Sequence, residues 1–114
     1  MKQNKNLDGS SFTYTYPELG TVRIDFYNGL LKYEWIAGPH NGTKGDGSTY
    51  MAKKINENTY FINWLENSNS SFVTLVIDMH RGVVHASALI NPRTDGEMVL
   101  FHDADIATYT LKEH

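Results

Sequence analysis

The strongest constraint on this chain is a two-residue alternation of side chains that recurs in short segments broken by turn residues. Ser11 to Tyr16 puts Phe12, Tyr14 and Tyr16 on one face and Thr13 and Thr15 on the other, as in an extended strand whose side chains point alternately to either side. Thr21 to Tyr27 repeats the pattern, with Val22, Ile24 and Phe26 set against Arg23, Asp25 and Tyr27. Pro17-Glu18-Leu19-Gly20 marks the turn between them. Asn28-Gly29 is the sharpest hairpin signal, because both residues accept the left-handed backbone of a tight two-residue turn. Further extended segments fall at 30–36, 50–55, 59–66, 71–79, 82–90, 97–102 and 106–111, and none has a helical period. About nine short strands at roughly 10–12-residue spacing, joined mostly by short turns, predict an all-β fold. The expected architecture is a single up-and-down antiparallel β-barrel of about eight to nine strands.

The 114 residues leave room for one domain. Residues 1–10, polar and rich in Asn and Lys, read as a disordered tail, and residues 11–114 as the barrel. The formal net charge is -3 and the ten Lys and Arg residues are scattered, which argues against a nucleic-acid partner. Without cysteine the chain cannot build disulfides, thiolate metal sites or a thiol nucleophile. Its five histidines have no metal-ligand spacing, so neither a metal nor a cofactor is expected. No apolar run has the length of a membrane span or the form of a signal peptide, so no membrane partner is expected and a cytoplasmic location is.

Tyr14 and Tyr16, two apart on one strand, aim their rings the same way. Buried phenols offer an apolar body and a hydroxyl that seeks a partner, so the pair suits a binding cup, while tyrosines common in strands also suit a plain core or one face of a dimer contact. Glu66 ends the segment Tyr60-Phe61-Ile62-Asn63-Trp64-Leu65-Glu66 and shares a face with Tyr60, Ile62 and Trp64. On that face it is either a desolvated carboxylate fit for proton transfer or a strand end reaching water. Tyr33 and Trp35 lie on the third strand. Gly38 to Gly47, with four glycines in ten residues, reads as the most mobile stretch, either a lid or a connector. His102 with Asp103 and Asp105 reads as a solvated strand end, and the inward face of the segment around His85 stays open. A barrel of this size would hold a modest cavity, better suited to an aromatic acid than to a long lipid.

Phe12-Thr13-Tyr14-Thr15-Tyr16, Tyr33, and Tyr60-x-x-x-Trp64-x-Glu66 together resemble two related lipocalin-like (calycin) families. One is the MoaF-like type, named for molybdenum-cofactor-biosynthesis protein F, and the other is the bacterial phenolic acid decarboxylases. In the decarboxylases the paired tyrosines contact the substrate carboxylate and the glutamate works near the phenol. The resemblance implies those places for Tyr14, Tyr16 and Glu66. The decarboxylase arginine, in a Gly-Arg-Trp segment, has no counterpart; Lys44 is the sole Lys or Arg in the corresponding glycine-rich stretch. The C-terminal helical extension of those enzymes also has no counterpart before His114. The chain therefore looks closer to the MoaF-like type.

Three readings follow. The first is a barrel binding a small aromatic or acidic organic molecule, with Tyr14, Tyr16, Tyr33, Trp35, Lys44, Trp64 and Glu66 as ligand-binding residues. The second is a cofactor-free lyase or decarboxylase with Tyr14, Tyr16 and Glu66 as catalytic residues. The third is an interaction module whose aromatic faces are buried in a homodimer.

Overall fold

A computed structural model describes residues 6–113. Eight strands follow one another: β1 (Ser11–Tyr16), β2 (Gly20–Tyr27), β3 (Leu30–Ala37), β4 (Lys44–Asn56), β5 (Thr59–Leu65), β6 (Phe72–Asp78), β7 (Val83–Ile90) and β8 (Met98–Thr110). Each pairs antiparallel with the next, and β1 pairs with β8, so the sheet closes into an up-and-down barrel with no free edge. The all-β expectation holds, with eight strands where the segment count suggested about nine. The segments at 97–102 and 106–111 are one continuous strand, because Ala104 turns inward between Asp103 and Asp105 and carries the alternation through. Asp103 and Asp105 lie on the solvated outer face of β8, and the run of His102, Asp103 and Asp105 is not a strand end.

Local chemistry sets the register. Asn28 and Gly29 both adopt positive φ (50° and 75°), the backbone of a tight hairpin turn whose twist matches that of its strands. Tyr27 and Leu30 are thereby locked opposite each other, and Val22, Ile24 and Phe26 all face inward. The glycine-rich stretch is shorter as a loop than its composition implied. Gly45 pairs with Tyr33 in the β3–β4 ladder, and the remaining turn is held by the Gly42 N–H on the Trp35 carbonyl (2.8 Å) and the Trp35 N–H on the Thr43 carbonyl (2.8 Å).

The two ends of the barrel differ. At the end where β1 begins, Leu7, Phe12, Phe26, Leu31, Tyr60, Ile62, Leu75, Ile77 and Val84 fill the interior. Phe12 meets the Phe26 ring edge-on at 6.3 Å between centroids, and Phe26 meets Tyr50 at 4.7 Å. Of the segment expected as a tail, residues 1–5 lie outside the described residues, and within 6–10 Leu7 and Ser10 are buried. The Leu7 N–H donates to the Tyr50 hydroxyl (2.9 Å), which donates in turn to Asp8 Oδ1 (2.8 Å). Ser10 Oγ bonds both the carbonyl and the N–H of Lys112 (2.9 and 2.7 Å), tying the start of the fold to its finish. Leu7 thus plugs the floor because it is apolar and its backbone donor has a buried partner.

The other end is open. The turns β1–β2, β3–β4, β5–β6 and β7–β8 gather there, around a cavity. Among the described residues no helix is long and apolar enough to cross a membrane.

Candidate ligand cup

The cavity has a volume of about 560 Å³, within the ordinary range for a small-molecule pocket. Its space comes from small side chains: Ala86 and Ala88 face it from β7. His85 and Ser87 point outward, and His85 Nδ1 lies 2.8 Å from Asp103 Oδ1 on the outer surface, which settles the face that the sequence left open.

Tyr14, Tyr16, Tyr33, Trp35, Trp64 and Glu66 all line this one cavity. Tyr14 and Tyr16 are buried, with their rings edge-on at 5.7 Å. Tyr16 stacks on Trp35 at 5.9 Å, and Trp35 meets His40 at 5.3 Å, so one aromatic wall runs from the depth of the cup to its rim. These rings turn inside a single chain. Lys44 does not join them. Thr43 lines the cavity, and the next residue, exposed and opposite Glu34 in the ladder, points away by simple alternation.

Glu66 follows the last residue of β5 yet keeps the inward course of Tyr60, Ile62 and Trp64, and is only 9% exposed. The turn behind it explains this. The Glu66 N–H donates to the Ser71 carbonyl (2.8 Å), the Ser70 N–H donates to the Glu66 carbonyl (2.9 Å), and buried Ser71 accepts the Asn91 N–H on Oγ (2.9 Å). Two rings then hold the carboxylate. Tyr33 Oη–H donates to Oε1 (3.1 Å) and Trp64 Nε1–H donates to Oε2 (3.3 Å).

Tyr33 reaches Glu66 by lying over β4 at Gly45. A β carbon there would stand 2.7 Å from Tyr33 Cε2 and 3.0 Å from both Cζ and Oη. Gly45→Ala is therefore expected to push the ring aside, break the bond to Glu66 and cost about 1–3 kcal/mol, as overpacking does. Urea unfolding measures this, and a variant as stable as the wild type would remove the seat from the account.

Burial pushes the Tyr14 and Tyr16 phenols upward, Tyr14 strongly so. Burial, followed by the charge of Glu66, pushes Tyr33 up to about 12. The unfolded chain, with tyrosines near 10.0, loses these protons first. The stability these three tyrosines contribute is accordingly expected to be constant below about pH 9 and to be lost as pH rises from about 10 through 12. Urea midpoints at about pH 9 and pH 11 check this, and equal midpoints would contradict it.

His102, Ser71, Asn69 and Asn91 also line the cup. His102 lies mid-strand in β8, edge-on to Tyr16 at 6.3 Å. Its placement depends on β8 being continuous, which the acidic run concealed. The role of Gly45 rests on the cross-strand pair Tyr33–Gly45 and has no local signal.

The MoaF-like family profile matches residues 8–102. No curated protein matches. Among solved structures, a candidate β-lactamase from Burkholderia vietnamiensis aligns with a TM-score of 0.75 at 20% identity, covering 88% of this chain and 92% of that one. At that identity the likeness shows a shared fold and transfers no activity.

Proposed function

The chain belongs to the MoaF-like family, and from that premise we propose that its barrel binds a small aromatic organic molecule in the open cup. The observation that carries this reading is the gathering of five aromatic rings and one buried carboxylate around a single cavity of about 560 Å³. Tyr14, Tyr16, Tyr33, Trp35 and Trp64 supply apolar area at low cost in side-chain freedom, while the Tyr33–Glu66–Trp64 hydrogen bonds fix the polar group that would orient a ligand. The chain has two tryptophans and both line the cup, so their emission reports on it selectively. A screen of small aromatic compounds read by that emission is expected to yield saturable hits. A screen in which no compound changes it would remove the reading.

One observation favours a second reading, a cofactor-free lyase: Tyr14, Tyr16 and Glu66 border the same space. In that reading the tyrosine hydroxyls position a carboxylate-bearing substrate and Glu66 acts as proton donor. Hydroxycinnamic acids incubated with concentrated protein test it by loss of their ultraviolet absorbance. A stable spectrum rejects it.

A further inference from the structure

The cup is lined by a carboxylate and, among the described residues, by neither lysine nor arginine. Among the described residues Glu66 is the sole carboxylate bordering the cavity, Lys44 being turned away. The other polar groups of the lining are tyrosine hydroxyls, Thr43, Ser71, Asn69, Asn91 and two histidines, His40 and His102. A ligand carboxylate would therefore share a low-dielectric space with Glu66 and meet no lysine or arginine to offset it.

The reverse holds for a cation. Glu66 already accepts one bond on each oxygen, from Tyr33 and from Trp64, and a carboxylate has about four acceptor positions, so each oxygen keeps room for another donor. The rings of Tyr14, Tyr16, Trp35 and Trp64 surround the same space, and aromatic faces attract ammonium groups by their quadrupoles. The formal net charge of -3 adds a weak field of the same sign.

We propose that the cup selects an organic amine: a protonated ammonium held by Glu66 and the aromatic wall, on a small apolar or aromatic body that fills the space beside Ala86 and Ala88. The proposal rests on the reading of the cavity as a ligand cup and adds the sign of the ligand's charge. The acidic ligand that the sequence suggested, from the size of the barrel and the tyrosine pair, is the opposite choice.

The test uses the full chain and three ligands sharing one body: 2-phenylethylamine, 2-phenylethanol and phenylacetic acid, titrated against tryptophan emission. The amine is expected to bind about tenfold to a hundredfold tighter than the alcohol, the usual range for a charge-assisted bond over a neutral one, with the acid weakest. In Glu66→Gln the ratio of amine to alcohol affinity is expected to fall to about one, whatever change both ligands share. A second comparison needs no variant: choline is expected to bind wild type more tightly than its uncharged isostere 3,3-dimethylbutanol. An acid that binds as tightly as the amine overturns the proposal, as does an amine preference that survives in Glu66→Gln. Binding of neutral aromatic compounds without binding of any amine also overturns it while leaving the cup reading standing. Failure of every class to bind removes both.

Discussion

Phe12→Ala is expected to lower the unfolding free energy by about 3–5 kcal/mol, the range for emptying a fully buried aromatic site. Small domains commonly have only about 5–15 kcal/mol in total, so this variant should stand close to unfolding. Phe12 has no exposed surface, packs edge-on against Phe26, and sits in the filled end of the barrel just inside the Leu7 plug. Its neighbours belong to a closed ladder and cannot collapse inward without breaking register. Phe101→Ala is the matched control. That ring is 83% exposed on the outer face of β8, and its loss should stay within about 0.5 kcal/mol. Chemical denaturation of both variants measures the contrast. Equal costs would mean that the filled end does not carry the stability assigned to it.

Ala88→Phe is expected to do the converse, abolishing binding while sparing the fold. Ala88 faces the cavity between Val73 of β6 and Leu100 of β8, all three bordering the same space. A benzyl group there occupies volume a ligand needs, and affinity should fall at least about tenfold, or ~1.4 kcal/mol. Filling a cavity with apolar volume commonly leaves stability unchanged or raises it by about 0.5–2 kcal/mol. Calorimetric titration with a ligand found in the screen, together with urea unfolding, measures both. Retained affinity would place the binding site elsewhere.

The division of the barrel into a sealed half and an open half was only partly legible in the sequence. Period-2 alternation and the Asn28-Gly29 turn are local, and they survive folding as read: both residues take positive φ, and Phe12, Tyr14 and Tyr16 all face inward. The gathering of Tyr14, Tyr16, Trp64 and Glu66 was suggested by their spacing and by family resemblance. What stayed hidden depends on register between strands. That Tyr33 crosses β4 at Gly45 to reach Glu66 follows from a β3–β4 pairing containing a register shift, which no local pattern encodes. Lys44 and Leu7 show the same limit from the other side. A glycine-rich stretch concealed that Lys44 begins a strand and points outward, and a polar flank concealed that Leu7 closes the floor.

Whether a ligand enters the cup is answered most directly by the indole N–H resonances of Trp35 and Trp64. Both rings border the cavity, and the Trp64 N–H is also bonded to Glu66. During titration with a hit from the screen, both resonances should shift together and saturate, with the Trp64 signal lost or displaced in Glu66→Gln. A ligand that binds and moves outer-face amides such as that of Phe101, but leaves both indoles unchanged, would contradict the central claim.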